Sequence, residues 1–424
     1  MSSKDNNPGS IFYGWYVVAS AFVILFFNSG ARFSFGVIFK PMIEEFGWDR
    51  GSISLAFFFN MTAYALSLAG VGRLYDRYGP KWLIVISTVF LSSGYLLISV
   101  MDSLWQFLVF YGVIAGIGLG GTSVTLMAAV TSKWFKKWRG LATSLAVSGN
   151  SLGQFALVPL FTVFVFRYGW RLSYIAIGLI MLCVNVILAL WVIKGDPNDL
   201  SQRPYGAQDQ KISEKGMEKT CPAETLGDLG LRDAIRTRSF WLFLTVMFIC
   251  GSGDFLVTTH LIPFVTDQGI SPITAGNMLA WLGLMSLAGI LVAGPASDLI
   301  GNKTPIALTF ILRFVLFLLI LRYQNLRSLY VFALAFGFTV LITAPLNATL
   351  IGKLYGLSHL GLISGLIATV HHVGGGFWAY MGGVIFDKTG SYRLAFILSA
   401  MMALVAVLST LLIREQRHFV RRSG

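Results

Sequence analysis

The sequence predicts an all-α membrane protein with twelve transmembrane helices, arranged as two repeated blocks of six. Three observations predict this fold class. The 424-residue chain is 55% hydrophobic and only 12% charged, whereas soluble domains contain about 25% charged residues. Apolar runs of about 20 residues, the length that crosses a bilayer, recur along the chain. Finally, sequence features of the first half reappear in the second half at nearly the same spacing.

The apolar runs define twelve predicted spans, which are 12–39, 52–75, 82–101, 104–132, 139–166, 171–194, 239–266, 272–299, 304–323, 326–352, 358–386 and 391–414. Their connections are short except for one stretch, which is rich in charged residues and contains Pro197 and Pro204. Such composition predicts a polar linker. We therefore expect an N-terminal six-helix bundle at 1–194, a cytoplasmic linker at 195–238 and a C-terminal six-helix bundle at 239–424.

The positions of the charges predict the topology. The formal net charge of +13 is distributed over the breaks between spans, with no basic face on a polar domain, so we expect no nucleic-acid partner. Most Lys and Arg residues lie on the side that carries both termini, including Lys133, Lys136, Lys137, Arg139, Arg414, Arg417, Arg421 and Arg422. This bias predicts cytoplasmic termini. We expect a multi-pass protein of the cell (inner) plasma membrane, monomeric in the lipid bilayer.

Several motifs are excluded by their context. The cysteines have no metal-ligand spacing: Cys183, Cys221 and Cys250. We therefore expect no metal site. No ATP-binding Gly-rich loop followed by Lys and Ser or Thr is present, so we expect no cofactor and no direct use of ATP. The glycine-rich run 116–121 matches a dinucleotide fingerprint but lies inside an apolar span. The four-residue spacing of Gly112, Gly116 and Gly120 instead predicts close packing between membrane helices.

The internal repeat is clearest in two loops. Gly, Asp, Gly and Lys recur at the same internal spacing, as Gly72, Asp76, Gly79 and Lys81 after the second span and Gly294, Asp298, Gly301 and Lys303 after the eighth. Because each copy contains an even number of spans, both copies have the same orientation in the membrane. They are then related by a pseudo-two-fold axis along the membrane normal.

These loops resemble the signature of the major facilitator superfamily. Within that superfamily, the segments 13–15, 134–142 and 148–153 resemble the monocarboxylate porters. The resemblance implies the major-facilitator fold, alternating access and a substrate site near the middle of the membrane. It also implies a cytoplasmic gate formed by Gly72, Asp76, Arg77 and Gly79, with Gly294, Asp298 and Gly301 in the second half.

The chain departs from that family at its charged positions. Animal members carry an Asp and an Arg in the eighth span, and the corresponding residues here are Ile290 and Gly294. The first-span Lys of the family corresponds to Phe33, which lies beside Arg32. A carboxylate bound by this protein would therefore contact a different set of charges.

Charges inside a membrane are costly and need a partner or a wet cavity. Arg32 and Asp254 occupy corresponding positions in the two halves, and we predict that they face each other across the pseudo-two-fold axis. Arg32 would bind a carboxylate through two parallel hydrogen bonds. Asp254 would hold Arg32 when ionised, and would release Arg32 when protonated or when substrate displaces it. The alternative is a structural ion pair that locks the halves together. Asn28 and Thr258, one helical turn away, are predicted to line the site.

Other polar residues lie within the predicted spans. His371 and His372 are candidates for proton coupling, with a neutral imidazole hydrogen-bonded between helices as the alternative. Arg313 either pairs with a neighbouring helix or reaches towards the membrane surface, and His260 is predicted to be a gate or interface residue. Further candidates for lining the cavity are Phe33, Asn150, Asn347, Gln154, Tyr64, Trp281 and Trp378, with His371 as the counterpart of Asn150.

Together these residues predict a secondary transporter of a small organic anion, most simply a proton-coupled symporter of a monocarboxylate of the lactate and pyruvate class. Uniport, anion exchange and export of other organic anions or amphipathic compounds remain alternatives. A membrane enzyme should show a nucleophile and base, a metal-binding cluster or a carboxylate pair near a membrane face. The sequence shows none of these, so we do not expect an enzyme.

Overall fold

The computed structural model describes residues 12–207, 231–355 and 360–413. Cys221, the basic cluster at 414–422 and much of the predicted linker lie outside these residues. The long helices are α1 (Gly14–Phe46), α2 (50–78), α3 (80–98), α4 (Leu104–Trp134), α5 (Arg139–Tyr168), α6 (Trp170–Trp191), α7 (Arg238–Asp267), α8 (Pro272–Ile300), α9 (Lys303–Arg322), α10 (Leu326–Val340 and Thr343–Tyr355), α11 (Leu360–Thr389) and α12 (Arg393–Leu412). By length and composition, ten helices of the described residues could cross a membrane, with Arg50–Ile98 counted as one and α11 not among them. Helices α2 and α3 form one continuous stretch, Arg50–Ile98, which Gly79 divides with φ 71° and ψ 175°.

The internal repeat is visible in the backbone. Three pairs of glycines at matched positions in the two halves have positive φ angles: Gly47 and Gly269 (68° and 78°), Gly79 and Gly301 (71° and 74°), and Gly169 and Gly390 (84° and 68°). Only glycine adopts this region without a steric penalty. The repeated glycines therefore mark the same three turns in each half.

The helices pair in the same order in both halves. In the first half α1 packs on α5, α2 on α4 and α3 on α6, and in the second half α7 packs on α11, α8 on α10 and α9 on α12. Between the halves, α2 packs on α11 and α5 packs on α8. A two-fold axis exchanges these last two contacts, as expected for two repeats with the same orientation. The predicted fold class is therefore confirmed.

Close contacts between α2 and α4 depend on glycine. A Cβ atom at Gly112 would lie 2.8 Å from the Cβ of Phe59, and one at Gly116 would lie 2.8 Å from the carbonyl oxygen of Asn60. Gly120 faces the same helix one turn later. The four-residue glycine spacing thus marks a helix-packing surface, as the sequence predicts, and the match to a dinucleotide fingerprint is coincidental.

Candidate functional site

A buried ion pair joins α7 to α9 near the middle of the second half. Arg313 Nη2 donates to Asp254 Oδ1 at 2.6 Å, and their side chains are 2% and 4% exposed. The remaining Arg313 donors reach Thr339 Oγ1 at 2.9 Å, Thr339 O at 3.0 Å and Cys250 O at 3.1 Å. A buried pair persists only when its geometry is good and its other donors are satisfied, and this pair meets both conditions.

The predicted pair between Arg32 and Asp254 is not formed in this structure. The repeat indicates that the two residues lie at matched positions along α1 and α7, but it does not fix the direction of their side chains. Asp254 points towards α9 within its own half, where Arg313 neutralises it. Of the two alternatives left open for Arg313, pairing with a neighbouring helix is the one observed.

His371 connects this ion pair to the interface between the halves. Its Nε2 lies 3.9 Å from Asp254 Oδ2, and its side chain is 22% exposed. The ring of His372 lies 5.2 Å from that of His371 and 4.8 Å from that of Tyr64 in α2, so it faces the first half. His372 Nδ1 is 2.7 Å from the carbonyl oxygen of Ala368. Both histidines are therefore close to the interface, and His371 also approaches an acidic group.

One cluster near this position has the residue types of a metal site. The ligand atoms of Cys250, Asp254 and His371 lie within 4.8 Å of one another. The guanidinium of Arg313 is much closer to the carboxylate and already neutralises it. A metal ion placed there would be repelled by that guanidinium, which disfavours metal binding at this cluster.

Arg32 lies on the first-half side of the same interface. Its guanidinium carbon is 5.6 Å from the ring centre of Phe33, 5.4 Å from that of Tyr64 and 5.2 Å from that of Phe255. Its Nη2 donates to the sulfur of Met61 at 3.1 Å, and its buried Nε has no hydrogen-bond partner. Among the described residues, no carboxylate lies within 4.0 Å of this guanidinium. Arg32 is thus a cation whose strong donors are available for an anion.

Other predicted lining residues are bonded elsewhere or partly buried. Asn28 donates to the hydroxyl and carbonyl oxygens of Thr122 at 2.6 and 2.9 Å. The Thr258 hydroxyl donates to a carbonyl of its own helix at 2.8 Å. Asn150 is half-buried in α5, and Asn347 donates to a methionine sulfur of α7 at 2.9 Å. Their roles in binding stay predictions.

Three more candidates have packing roles in this conformation. Gln154 Nε2 donates to the carbonyl oxygen of Leu279 at 2.9 Å, which joins α5 to α8 across the interface. Trp281 is 42% exposed, and its ring packs against that of Phe155 in α5 with centres 5.4 Å apart. Trp378 donates to the hydroxyl of Ser399 in α12 at 2.9 Å. Of the three, only Gln154 contributes a polar contact between the halves.

A hydrogen-bonded network closes one membrane face between the halves; we call it the Arg50 latch, comprising Arg50, Asp267, Asp387 and Tyr392. Arg50 of α2 donates from both terminal nitrogens to Asp267 of α7 at 2.8 Å, and to the Tyr392 hydroxyl at 2.9 Å. The carboxylate of Asp387 accepts from the backbone N–H groups of Arg50 and Gly51 at 3.0 and 2.6 Å. Each of these hydrogen bonds from Arg50 and Gly51 links the first half to the second.

His260 lies in the same network, consistent with its prediction as a gate or interface residue. Its Nδ1 is 2.9 Å from the Tyr392 hydroxyl, and its Nε2 is 2.7 Å from the carbonyl oxygen of Ala379. Sequence reasoning missed the rest of the latch, because Arg50 and Asp267 appear in the sequence as ordinary charges at the ends of spans. No local pattern relates them.

Towards the opposite face the halves meet through α5 and α8, with no network like the latch among the described residues. The contacts between α5 and α8 include Gly276 and, farther along α8, the Ser286 hydroxyl, which lies 3.0 Å from the Ser151 hydroxyl of α5. Farther along α8, a Cβ atom at Gly294 would meet no atom within 4 Å. The predicted gate residues Asp76, Arg77 and Asp298 are exposed, and none of them forms an ion pair with another described residue. A Cβ atom at three further glycines of the predicted gate, Gly72, Gly79 and Gly301, would likewise meet no atom within 4 Å. Their role as a gate stays a prediction for a state in which this face closes.

Breaking the latch should open the closed face. The test protein has its three native cysteines replaced by Ser and a single cysteine introduced by Phe33→Cys. A membrane-impermeant maleimide is added from the latched face, and the rate at which it labels this cysteine is measured. We expect Arg50→Gln to raise that rate. A loss of about 1.4 kcal/mol of stability of the latched state raises the ratio of open to latched protein tenfold. We therefore expect the labelling rate to rise about tenfold.

Arg171 provides a matched control for that experiment. It pairs with Glu45, and lies 3.8 Å from Asp102, at the same face but within the first half. Arg171→Gln should therefore leave the labelling rate unchanged. Equal rates in the Arg50→Gln and Arg171→Gln proteins would contradict a gating role for the latch.

Two repeats of six helices that meet at an interface carrying buried charges, with a hydrogen-bonded latch at one face, form the architecture of a membrane transporter. A family model described as Major Facilitator Superfamily matches residues 21–286 and, again, residues 245–423. The chain belongs to the major facilitator superfamily.

Similar proteins agree with this assignment. An MFS-type transporter of Bacillus subtilis (strain 168), YcxA, is 26% identical over 419 residues, which cover 96% of this chain and 98% of that protein. Monocarboxylate transporter 13 of Bos taurus is 25% identical over 392 residues, with 91% and 86% covered. A crystal structure of a bacterial homologue of the human lysosomal transporter Spinster, inward-facing and occupied, has a TM-score of 0.72 at 16% identity and covers 96% of this chain and 97% of its own. That likeness supports the fold alone.

Proposed function

We propose that this protein is a secondary active transporter that carries a small organic monocarboxylate together with protons. The observation that supports it most directly is Arg32, a guanidinium at the interface between the halves with no acidic partner among the described residues. A guanidinium donates two parallel hydrogen bonds to a carboxylate, in a geometry that few other side chains match. The similarity to a monocarboxylate transporter is consistent with such a substrate.

The proton is proposed to be held by Asp254 and His371. His371 is partly exposed at the interface and lies 3.9 Å from the carboxylate oxygen that Arg313 does not bind. His371 is proposed to pass a proton between the interface and this carboxylate when the 3.9 Å separation shortens to hydrogen-bond distance. A proton that enters with a monoanion leaves the loaded carrier with no added charge, which lowers the cost of moving it within the membrane. His372, Asn150 and Asn347 are proposed to line the same pathway.

The two faces of the interface are proposed to open in turn. With cytoplasmic termini, as the basic residues predict, the Arg50 latch lies on the outer side, so the structure would correspond to a state closed to the outside. In the opposite state the latch would break and the loops around Asp76 and Asp298 would approach each other. Rocking of two repeats around a central site is the expected motion for this architecture.

Uptake into proteoliposomes tests the proposal. The purified protein is reconstituted with an inward proton gradient and supplied with radiolabelled L-lactate, pyruvate or benzoate, with and without a protonophore. We expect at least one of these carboxylates to accumulate above its equilibrium level, and the protonophore to abolish the accumulation. Accumulation that persists with the protonophore would contradict proton coupling, and no uptake of any carboxylate would contradict the substrate class.

A further inference from the structure

We infer that the substrate held at Arg32 is a monoanion with a bulky apolar body, preferably an aromatic ring, rather than a small hydroxy acid or a dicarboxylate. The inference rests on the proposed function and narrows its substrate class. It follows from the charges that remain unpaired at the interface and from the rings that surround Arg32.

The charges favour a single carboxylate. Arg313 is committed to Asp254, with both side chains almost fully buried. A protonated His371 would face the same Asp254 at 3.9 Å, so its charge would be offset there. Arg32 is then the guanidinium left for an anion at this part of the described structure. A second carboxylate on the substrate would be buried without a cation, which is strongly unfavourable.

The walls around Arg32 favour an apolar body. The ring centres of Phe33, Tyr64 and Phe255 lie 5.2 to 5.6 Å from its guanidinium carbon. Phe255 also packs against Phe57, with ring centres 5.7 Å apart. A carboxylate bound to Arg32 would place the rest of its molecule beside these rings, where an aromatic body can pack edge-on or offset and remove apolar surface from water.

The polar groups near Arg32 contribute less to this choice. The side-chain N–H groups of Asn28, one turn before Arg32, donate to Thr122, but its buried amide oxygen has no hydrogen-bond partner among the described residues. A substrate hydroxyl could be accepted there, so the preference for an apolar body rests on the charges and on the rings.

Ligand binding to the purified full-length protein tests this inference. Dissociation constants are measured by calorimetry for benzoate, L-lactate, oxalate and benzyl alcohol, which has the ring but no carboxylate. We expect benzoate to bind at least about tenfold more tightly than L-lactate, because its ring buries much more apolar surface. Oxalate should bind no more tightly than L-lactate, and benzyl alcohol should not bind measurably.

A ring variant distinguishes specificity from a general structural effect. Phe33→Leu keeps an apolar side chain but removes a ring beside Arg32, so it should weaken benzoate binding and leave L-lactate binding nearly unchanged. The matched control is Phe166→Leu in α5, where Phe166 is 49% exposed. This variant should change neither benzoate binding nor L-lactate binding. A purely structural effect of Phe33→Leu would weaken both ligands equally.

The possible failures are distinguishable. If L-lactate or oxalate binds as tightly as benzoate in the wild-type protein, the inference about the substrate body is wrong and carboxylate transport stands. If no carboxylate binds and none is accumulated in proteoliposomes, the proposed function itself is wrong.

Discussion

Replacement of Asp254 by Asn should lower the free energy of unfolding by about 3–5 kcal/mol, the usual effect of removing one partner of a buried ion pair. Arg313 would keep its hydrogen bonds to Thr339 and Cys250 but lose its counter-ion at a site where its side chain is 2% exposed. The same variant should lose accumulation driven by a proton gradient. It should retain exchange of labelled for unlabelled substrate, because exchange needs the carboxylate site but no net proton movement.

A double variant separates the two effects. Asp254→Asn combined with Arg313→Gln removes both charges, so it should recover part of the lost stability without recovering proton-driven accumulation. The matched control is Asp102→Asn, whose side chain is 86% exposed and should affect neither property. Stability is measured by thermal unfolding in detergent, and coupling is measured by uptake with and without a protonophore.

The alternative role of the ion pair gives a different result. If it only locks α7 to α9, the double variant should recover both stability and protonophore-sensitive accumulation. That outcome would exclude Asp254 as the proton-binding group and leave His371 and His372 as the remaining candidates near the interface.

Features fixed by short stretches of sequence were predictable. The repeated glycines predict the repeated turns, because a positive φ angle depends on a single residue; Gly79 and Gly301 have φ 71° and 74°. Span number and helix packing follow from composition and spacing in the same way. Gly116, for example, permits the approach of α4 to α2 because it has no side chain.

Features that depend on the rotation of helices were not predictable. Asp254 and Arg313 lie in different helices, and a small rotation of α7 about its axis would have directed Asp254 elsewhere. Resemblance did not help, because the family positions for a charged pair are Ile290 and Gly294 in this chain. The latch shows the same limit: Arg50 and Asp267 meet only after the two halves have packed together.

Replacement of Arg32 by Gln should have the opposite effect on stability to replacement of Asp254 by Asn. The guanidinium has no acidic partner among the described residues, so its removal takes away an uncompensated charge and should leave the thermal stability unchanged or raised. Loss of a charge that binds a ligand carboxylate typically costs about 2–5 kcal/mol of binding. We therefore expect carboxylate affinity to fall by roughly thirtyfold or more, with a corresponding loss of uptake.

Two further variants make the Arg32 result specific. Arg32→Lys keeps the charge but loses the planar fork, so it should bind carboxylate with an affinity between those of the wild type and Arg32→Gln. Arg322→Gln, at the exposed end of α9, makes the same substitution outside the interface and should be neutral. A stability loss in Arg32→Gln as large as that in Asp254→Asn would indicate that Arg32 is a structural cation. Full uptake by Arg32→Gln would remove it from the substrate site. Opposite effects on stability, with a loss of transport in both variants, are expected only if one charge is held by the protein and the other is available to the substrate.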